Sequence, residues 1–165
     1  MLDALIKARR AAKIGSSDRL MIGLLQRVSR ASVMVDGTLI GEIGRGLLVL
    51  VAVHRDDEDR DIARLAERIL GYRVFPDAED RMNLSVKDIA GELLLVPQFT
   101  LTADTRKGTR ASFTKGADPE KAAAFFDRLV AICRDQLAAV ECGRFGADMQ
   151  VSLVNDGPVT FWIES

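Results

Sequence analysis

The chain has 165 residues, of which 48% are hydrophobic and 28% charged, and it carries a net charge of −1, all ordinary for one globular domain. The longest apolar run, Leu47–Val53, is strand-sized and far short of the roughly 20 residues that cross a bilayer. The charge balance also lacks the large basic excess of a protein that holds nucleic acid along its length through phosphate neutralisation. His54 is the sole histidine, so counting argues against a His-based metal site or a Ser-His-Asp triad, and neither metal nor cofactor is expected. Cys133 and Cys142 lack CxxC spacing and have no signal-peptide core upstream, which points to free thiols in a reducing, cytoplasmic compartment.

Residues 1–20 stand apart. Leu2, Leu5 and Ile6 share one face of a short helical pattern, followed by Arg9, Arg10 and Lys13, and Gly15-Ser16-Ser17 breaks it. A basic arm that touches RNA and a mitochondrial-type presequence are both compatible with this, although Asp3 and Asp18 weigh against the second. The preferred reading is an N-terminal extension upstream of a second methionine, Met21, with one domain over 21–165.

From Met21 onward the elements alternate. Leu24–Val28 is strand-like. Ser32–Val35 and Thr38–Ile40 flank Asp36-Gly37, a strong hairpin signal. Leu47–Val53 reads as a buried strand. Asp56–Asp59 puts acids at a helix start, and Ile62, Leu65, Ala66, Ile69 and Leu70 form the apolar stripe of that helix, ended by Gly71. A short strand over Tyr72–Phe75 and a polar loop over Asp77–Lys87 precede another buried strand, Glu92–Val96. A second helix is predicted from Pro119, suited to a first turn, to about Ala139, burying Ala122, Phe125, Phe126, Leu129, Ile132 and Cys133. Met149–Val154 and Val159–Ile163 complete the chain as strands. The expected fold class is α+β, a mostly antiparallel, barrel-like sheet with two main helices.

Two segments stand out from the scaffold. Pro97-Gln98-Phe99-Thr100-Leu101 sets a polar Gln and Thr at the end of an apolar strand, where ligand groups often sit; from composition alone, alternate solvent-facing positions are the preferred explanation. Asn155-Asp156-Gly157-Pro158-Val159-Thr160 is a turn by composition, and as a turn alone it carries no function.

Together these segments resemble the two signature motifs of the D-aminoacyl-tRNA deacylase family, usually Ser-Gln-Phe-Thr-Leu and Asn-x-Gly-Pro-Val-Thr. The resemblance extends to Gln26-Arg27-Val28 with its hairpin, Arg81–Ser85, Ser112-Phe113 and Gly143–Met149, so it spans Met21 to the C-terminus. It implies a homodimeric hydrolase that frees tRNA from D-amino acids and mischarged glycine. The implied Gly157–Pro158 peptide is cis, and the motif of one subunit enters its twin's active site. There the Gly157 and Pro158 carbonyls would repel an L side chain, selecting by rejection. Arg27 resembles an arginine that anchors this motif across the dimer interface; a strand-edge charge is its plain alternative.

The implied chemistry is ester hydrolysis at the 3′-terminal adenosine. Nothing adjacent in sequence activates Thr100 as a nucleophile, so the resemblance favours the ribose 2′-hydroxyl as the reactive group. Backbone N–H groups near Phe99 and Thr100 would form an oxyanion hole, and Gln98 would orient the substrate. Pro97, Leu101, Ser112, Phe113, Phe145, Met149 and Asn155 are the candidates for the substrate pocket, with core packing the alternative for Phe113, Phe145 and Met149. Position 97 departs from the family's usual Ser, removing a hydroxyl and a backbone donor. A related chordate group with Pro-Gln here is less strict in stereochemistry, whereas Phe99 and the intact Asn155–Thr160 motif keep this chain nearer the D-specific group. The expected partners are the 3′ end of aminoacyl-tRNA and a second copy of the chain, with no membrane and no DNA. A non-catalytic dimeric module that binds a tRNA end or a nucleotide is the alternative function, and a different esterase of small acyl substrates is disfavoured by the lack of a usable His or metal cluster.

Overall fold

Asp36 and Gly37 take up φ values of 49° and 77°, the pair of positive angles that a tight primed turn demands. They join β1 (Ile22–Val35) to β2 (Thr38–Ile43) as the sequence predicts. The computed structural model describes residues 20–165, so the reading of residues 1–20 as an extension lies, but for Leu20, outside the described residues.

β1 organises the sheet. Its first half pairs antiparallel with β3 (Gly46–Ala52), its second half with β2, and its other edge with β8 (Gln150–Glu164) along nearly the whole length. β3 pairs in parallel with β6 (Glu92–Pro97), and β6 in parallel with β7 (Val140–Cys142). Parallel neighbours need a crossover. Here α1 (Asp59–Gly71) lies between β3 and β6, and α2 (Pro119–Gln136) between β6 and β7. The result is a nearly closed, barrel-like sheet with two helices, antiparallel except at these two pairings.

Two apolar clusters explain the uninterrupted apolar runs. Leu47, Val49 and Val51 of β3 and Leu93 and Leu95 of β6 join the helices in one core. Leu48, Leu94 and Val96 face the other way, into a second core with Val28, Ala31, Val33 and Ile43. A strand buried on both faces has no polar side to show, hence the run rather than an alternation.

The helices follow their sequence signals. The Asp61 carboxylate accepts the Glu58 N–H at 2.8 Å, closing the start of α1, and Ile62, Leu65, Ala66, Ile69 and Leu70 are buried. In α2 the Asp118 side chain accepts the Lys121 N–H at 3.0 Å ahead of Pro119. This helix stops at Gln136, short of the predicted Ala139, because Leu137 turns extended to enter β7. Val130, not Ile132, completes its buried face.

Three differences from the predicted strands have local causes. Tyr72 leaves α1 extended, but the Arg73 guanidinium takes the carbonyl and the side-chain oxygen of Asn83 at 2.9 and 3.1 Å. Pairing therefore begins only at β4 (Phe75–Pro76). Its partner β5 (Met82–Leu84) falls within the segment predicted as a loop. The two C-terminal strands are one element, β8, interrupted by the turn described below.

Candidate active site

β6 delivers Pro97 to the lip of a cavity of about 490 Å³, lined by Pro97, Gln98, Phe99, Phe145 and Met149 with small residues of the 117–122 and 146–147 segments. Gln98 leaves the strand by donating its N–H to the Val51 carbonyl at 2.7 Å. The chain then tightens into a 3-10 turn, Phe99–Thr102. Its first bond runs from the Leu101 N–H to the Gln98 carbonyl at 3.2 Å. The Phe99 and Thr100 N–H groups precede that bond and are not consumed by the turn. The Thr102 hydroxyl, buried, donates to the Phe99 carbonyl at 2.8 Å and stiffens it.

The Thr100 hydroxyl accepts the Gln98 side-chain amide at 2.5 Å. An amide N–H takes no proton from a hydroxyl, so this contact orients Thr100 without activating it. Phe99 is 62% exposed and Phe113 46%, their ring centroids 5.3 Å apart. Phe99 lines the cavity and Phe113 does not, its ring instead extending the exposed apolar surface beside Phe99. Met149 and Phe145 are part-buried, so they serve the core and the cavity wall together.

Ser112 lies outside the cavity, in a two-way backbone pairing with Asp104 at 3.1 and 2.8 Å, and Leu101 is not in the cavity wall either. Asn155, expected in the pocket, is used up by its own turn: its amide donates to the Thr160 hydroxyl at 2.8 Å and its oxygen accepts the Val159 N–H at 3.0 Å.

The Asn155–Thr160 segment is a deep bulge. On β1, Gln26 pairs with Thr160 and Val28 with Asn155, so residues 156–159 all stand opposite Arg27. Arg27 donates to the Asp156 carbonyl at 2.9 Å and to the Val74 carbonyl at 2.7 Å, and lies 3.6 Å from the Asp156 carboxylate. The contact is thus made within one chain. Gly157 has φ +141°, and a Cβ there would meet the Val159 side chain at 2.6 Å. Gly157–Pro158 is cis.

Within one chain the two motifs are apart. Arg27 pairs with Leu47 and Leu47 with Leu93, whereas Pro97 pairs with Val51 and Val51 with Gly23. Four residues of strand, about 13 Å at 3.3 Å each, separate the two levels, and β1 and β3 lie between β8 and β6.

The sequence reading missed two features. Asp57 is 2% exposed, its Oδ2 accepts the His54 N–H at 2.7 Å, and its Oδ1 has no partner. Burial, only partly offset by that bond, pushes its pKa up to about 7. Position in an acidic run disguised it as a helix-start charge. The second is the cationic loop between Asp104 and Ser112, hidden in an overall charge near zero. No group of three or more His, Cys, Asp or Glu side chains is arranged to hold a metal among the described residues.

The family model for D-Tyr-tRNA(Tyr) deacylase matches residues 24–164. The chain belongs to this deacylase family. As a member it is a hydrolase acting on an ester bond. It is 63% identical over 145 residues to a D-aminoacyl-tRNA deacylase of Alkalilimnicola ehrlichii, covering 88% of this chain and 97% of that one. It is 58% identical over 144 residues to the D-aminoacyl-tRNA deacylase of Escherichia coli, covering 87% and 99%. Among solved structures it is similar to the c-Myc DNA Unwinding Element Binding Protein, with TM-score 0.83 and 37% identity over 87% of this chain and 98% of that one. A probable eukaryotic D-amino acid tRNA deacylase shares the deacylase fold at TM-score 0.77 and 19% identity, covering 88% and 100%.

Proposed function

We propose that this D-aminoacyl-tRNA deacylase cleaves D-amino acids and mischarged glycine from the 3′-terminal adenosine of tRNA, and spares L-aminoacyl esters through the Gly157–Pro158 turn of a second copy. The observation that carries the reading is the unconsumed N–H pair of Phe99 and Thr100 at the lip of an apolar cavity.

The adenosine occupies that cavity against Phe99, Phe145 and Met149, with Phe113 stacking at the mouth. The ester carbonyl oxygen lies between the two N–H groups. Water, activated by the ribose 2′-hydroxyl, adds to the carbonyl carbon, and the oxygen takes up negative charge. Stabilising that charge is worth about 3–4 kcal/mol per donor in comparable sites. Collapse of the adduct breaks the ester bond, leaving the ribose 3′-hydroxyl protonated and the amino acid free. Gln98 holds Thr100 and the substrate in place.

The filter comes from a partner because the turn of the same chain is too far along the strands. Self-association also fits β8, whose outer edge has no strand partner among the described residues and which exposes Leu153, Val154, Phe161 and Trp162, the last at 50%. An apolar edge strand of this kind is a liability unless covered. The compartment of this reading is the cytoplasm, in keeping with two unbonded cysteines.

The test is deacylation of matched D- and L-tyrosyl-tRNA by the wild type and by Thr100→Ala. Release from the D-ester alone, retained within a few-fold in Thr100→Ala, is expected. A dead Thr100→Ala that still folds and binds would make the threonine the nucleophile. Tight tRNA binding without turnover of either ester would leave a non-catalytic binding module.

A further inference from the structure

The strand-to-turn segment that builds the site runs on into a loop whose charge the proposed chemistry does not use. Residues 105–111 contain Arg106, Lys107 and Arg110 and no acid, all three cations being exposed. The paired backbones of Asp104 and Ser112 close the loop at its base. Asp104 holds Arg106 with both carboxylate oxygens, Nε lying 2.9 and 3.1 Å away, and these bonds keep the Asp104 carboxyl well below its usual range. Lys107 and Arg110 have no such partner among the described residues. With Asp104, Arg106 and Ser112 they line an open concavity of about 610 Å³.

Position gives this charge its meaning. The loop leaves the 3-10 turn two residues after Thr102 and returns at Ser112, immediately before Phe113, whose ring rests against Phe99. Beyond the Asp104–Ser112 pair it can extend about 10 Å, three residues at roughly 3.3 Å each. Cations beside exposed aromatics are the usual combination for a single nucleic-acid strand, the rings taking bases and the charges taking phosphates. An acidic protein surface would need the cations but not the rings.

We propose that the 105–111 loop is a phosphate-binding arm that takes the backbone of the acceptor strand just before the terminal adenosine, with Lys107 and Arg110 as its free charges and Arg106 held in place by Asp104. The proposal rests on the adenosine lying at Phe99 and Phe113. It also resolves how a chain of net charge −1 engages a polyanion: three cations are concentrated where the strand leaves the site, while the remaining surface needs no excess of basic groups.

The experiment compares wild type with Lys107→Ala/Arg110→Ala on two substrates, D-tyrosyl-tRNA and the 3′-ester of D-tyrosine with adenosine alone, across a series of KCl concentrations. In the double variant KM for the tRNA is expected to rise about tenfold at low salt. The slope of log(kcat/KM) against log salt should flatten by about 1.4, at roughly 0.7 per single-strand phosphate released. Hydrolysis of the adenosine ester should not change. Lys107→Arg/Arg110→Lys should restore the tRNA KM and the slope. Unchanged tRNA kinetics would overturn the arm. So would equal losses on both substrates, which would put the loop's effect on the aminoacyl-adenosine site itself. A wild type that hydrolyses neither ester would fail the deacylase reading instead, and tRNA affinity measured directly would still judge the arm: an unaltered Kd in the double variant overturns it.

Discussion

The Arg27 guanidinium donates to the Asp156 carbonyl at 2.9 Å from the one position on β1 that faces four residues of β8. A second arm reaches the Val74 carbonyl at 2.7 Å, so one side chain ties the bulge to the segment between α1 and β4.

Arg27→Ala should therefore loosen the bulge without unfolding the sheet. Hydrogen bonds from a charged donor contribute about 1.5–3 kcal/mol each in favourable cases, and a loss of about 2 kcal/mol in urea unfolding is expected. Discrimination between D- and L-tyrosyl-tRNA should shrink as well. Arg27→Lys should recover little, because one ammonium cannot span both carbonyls.

At Gly157 the obstacle is steric. A Cβ would lie 2.6 Å from the Val159 side chain and 2.9 Å from its backbone nitrogen, at φ +141°, a region that strongly favours glycine. Gly157→Ala should cost about 1–3 kcal/mol of strain at the turn. D-tyrosyl-tRNA deacylation should fall at least tenfold while circular dichroism stays native.

Phe113 offers a cleaner separation of binding from folding. Its ring is 46% exposed and lies against that of Phe99, so Phe113→Ala should cost only about 0.5–1.5 kcal/mol of stability, the range for an aromatic pair. Loss of a stacked base, worth roughly 1–3 kcal/mol, should raise KM and spare kcat. An unchanged KM would remove Phe113 from the binding surface.

Asp57 predicts a pH dependence. Its folded pKa is about 7, raised first by burial and further by Asp61 and Asp56, and lowered by the His54 N–H and Lys121; unfolded, it titrates near 3.9. The folded state thus holds an extra proton between these values. The group's contribution to stability is full below the unfolded pKa and is lost as pH rises through 7. Asp57→Asn, which keeps the acceptor and supplies a donor at the unpartnered Oδ1 position, should flatten thermal stability between about pH 4 and 7 and raise it at pH 8.

The cysteines should separate in labelling. Cys133 is fully buried, and burial pushes its thiol up to about 12, whereas Cys142 is part-exposed. A thiolate-selective reagent should modify native protein at Cys142 and reach Cys133 only after unfolding.

Local patterns were enough for much of this molecule. Asp36-Gly37 dictates its turn because positive φ is a property of those residues. The stripe from Ile62 to Leu70 dictates a buried helix face because its period is that of the helix. Pro97–Leu101 and Asn155–Thr160 stand out as candidate functional segments only through their joint resemblance to one family. What lay beyond the sequence were relations between distant parts of the chain. That β6 runs parallel between β3 and β7 depends on where two helices place it. That Asp57 is a buried acid and Asp56 is not depends on what packs above the turn. That the Asn155 side chain bonds Val159 and Thr160 depends on the bulge, which forms only against Arg27 of β1. Propensity and period act over a few residues and are written in order along the chain; burial, charge environment and register are set by neighbours that only the closed sheet brings together.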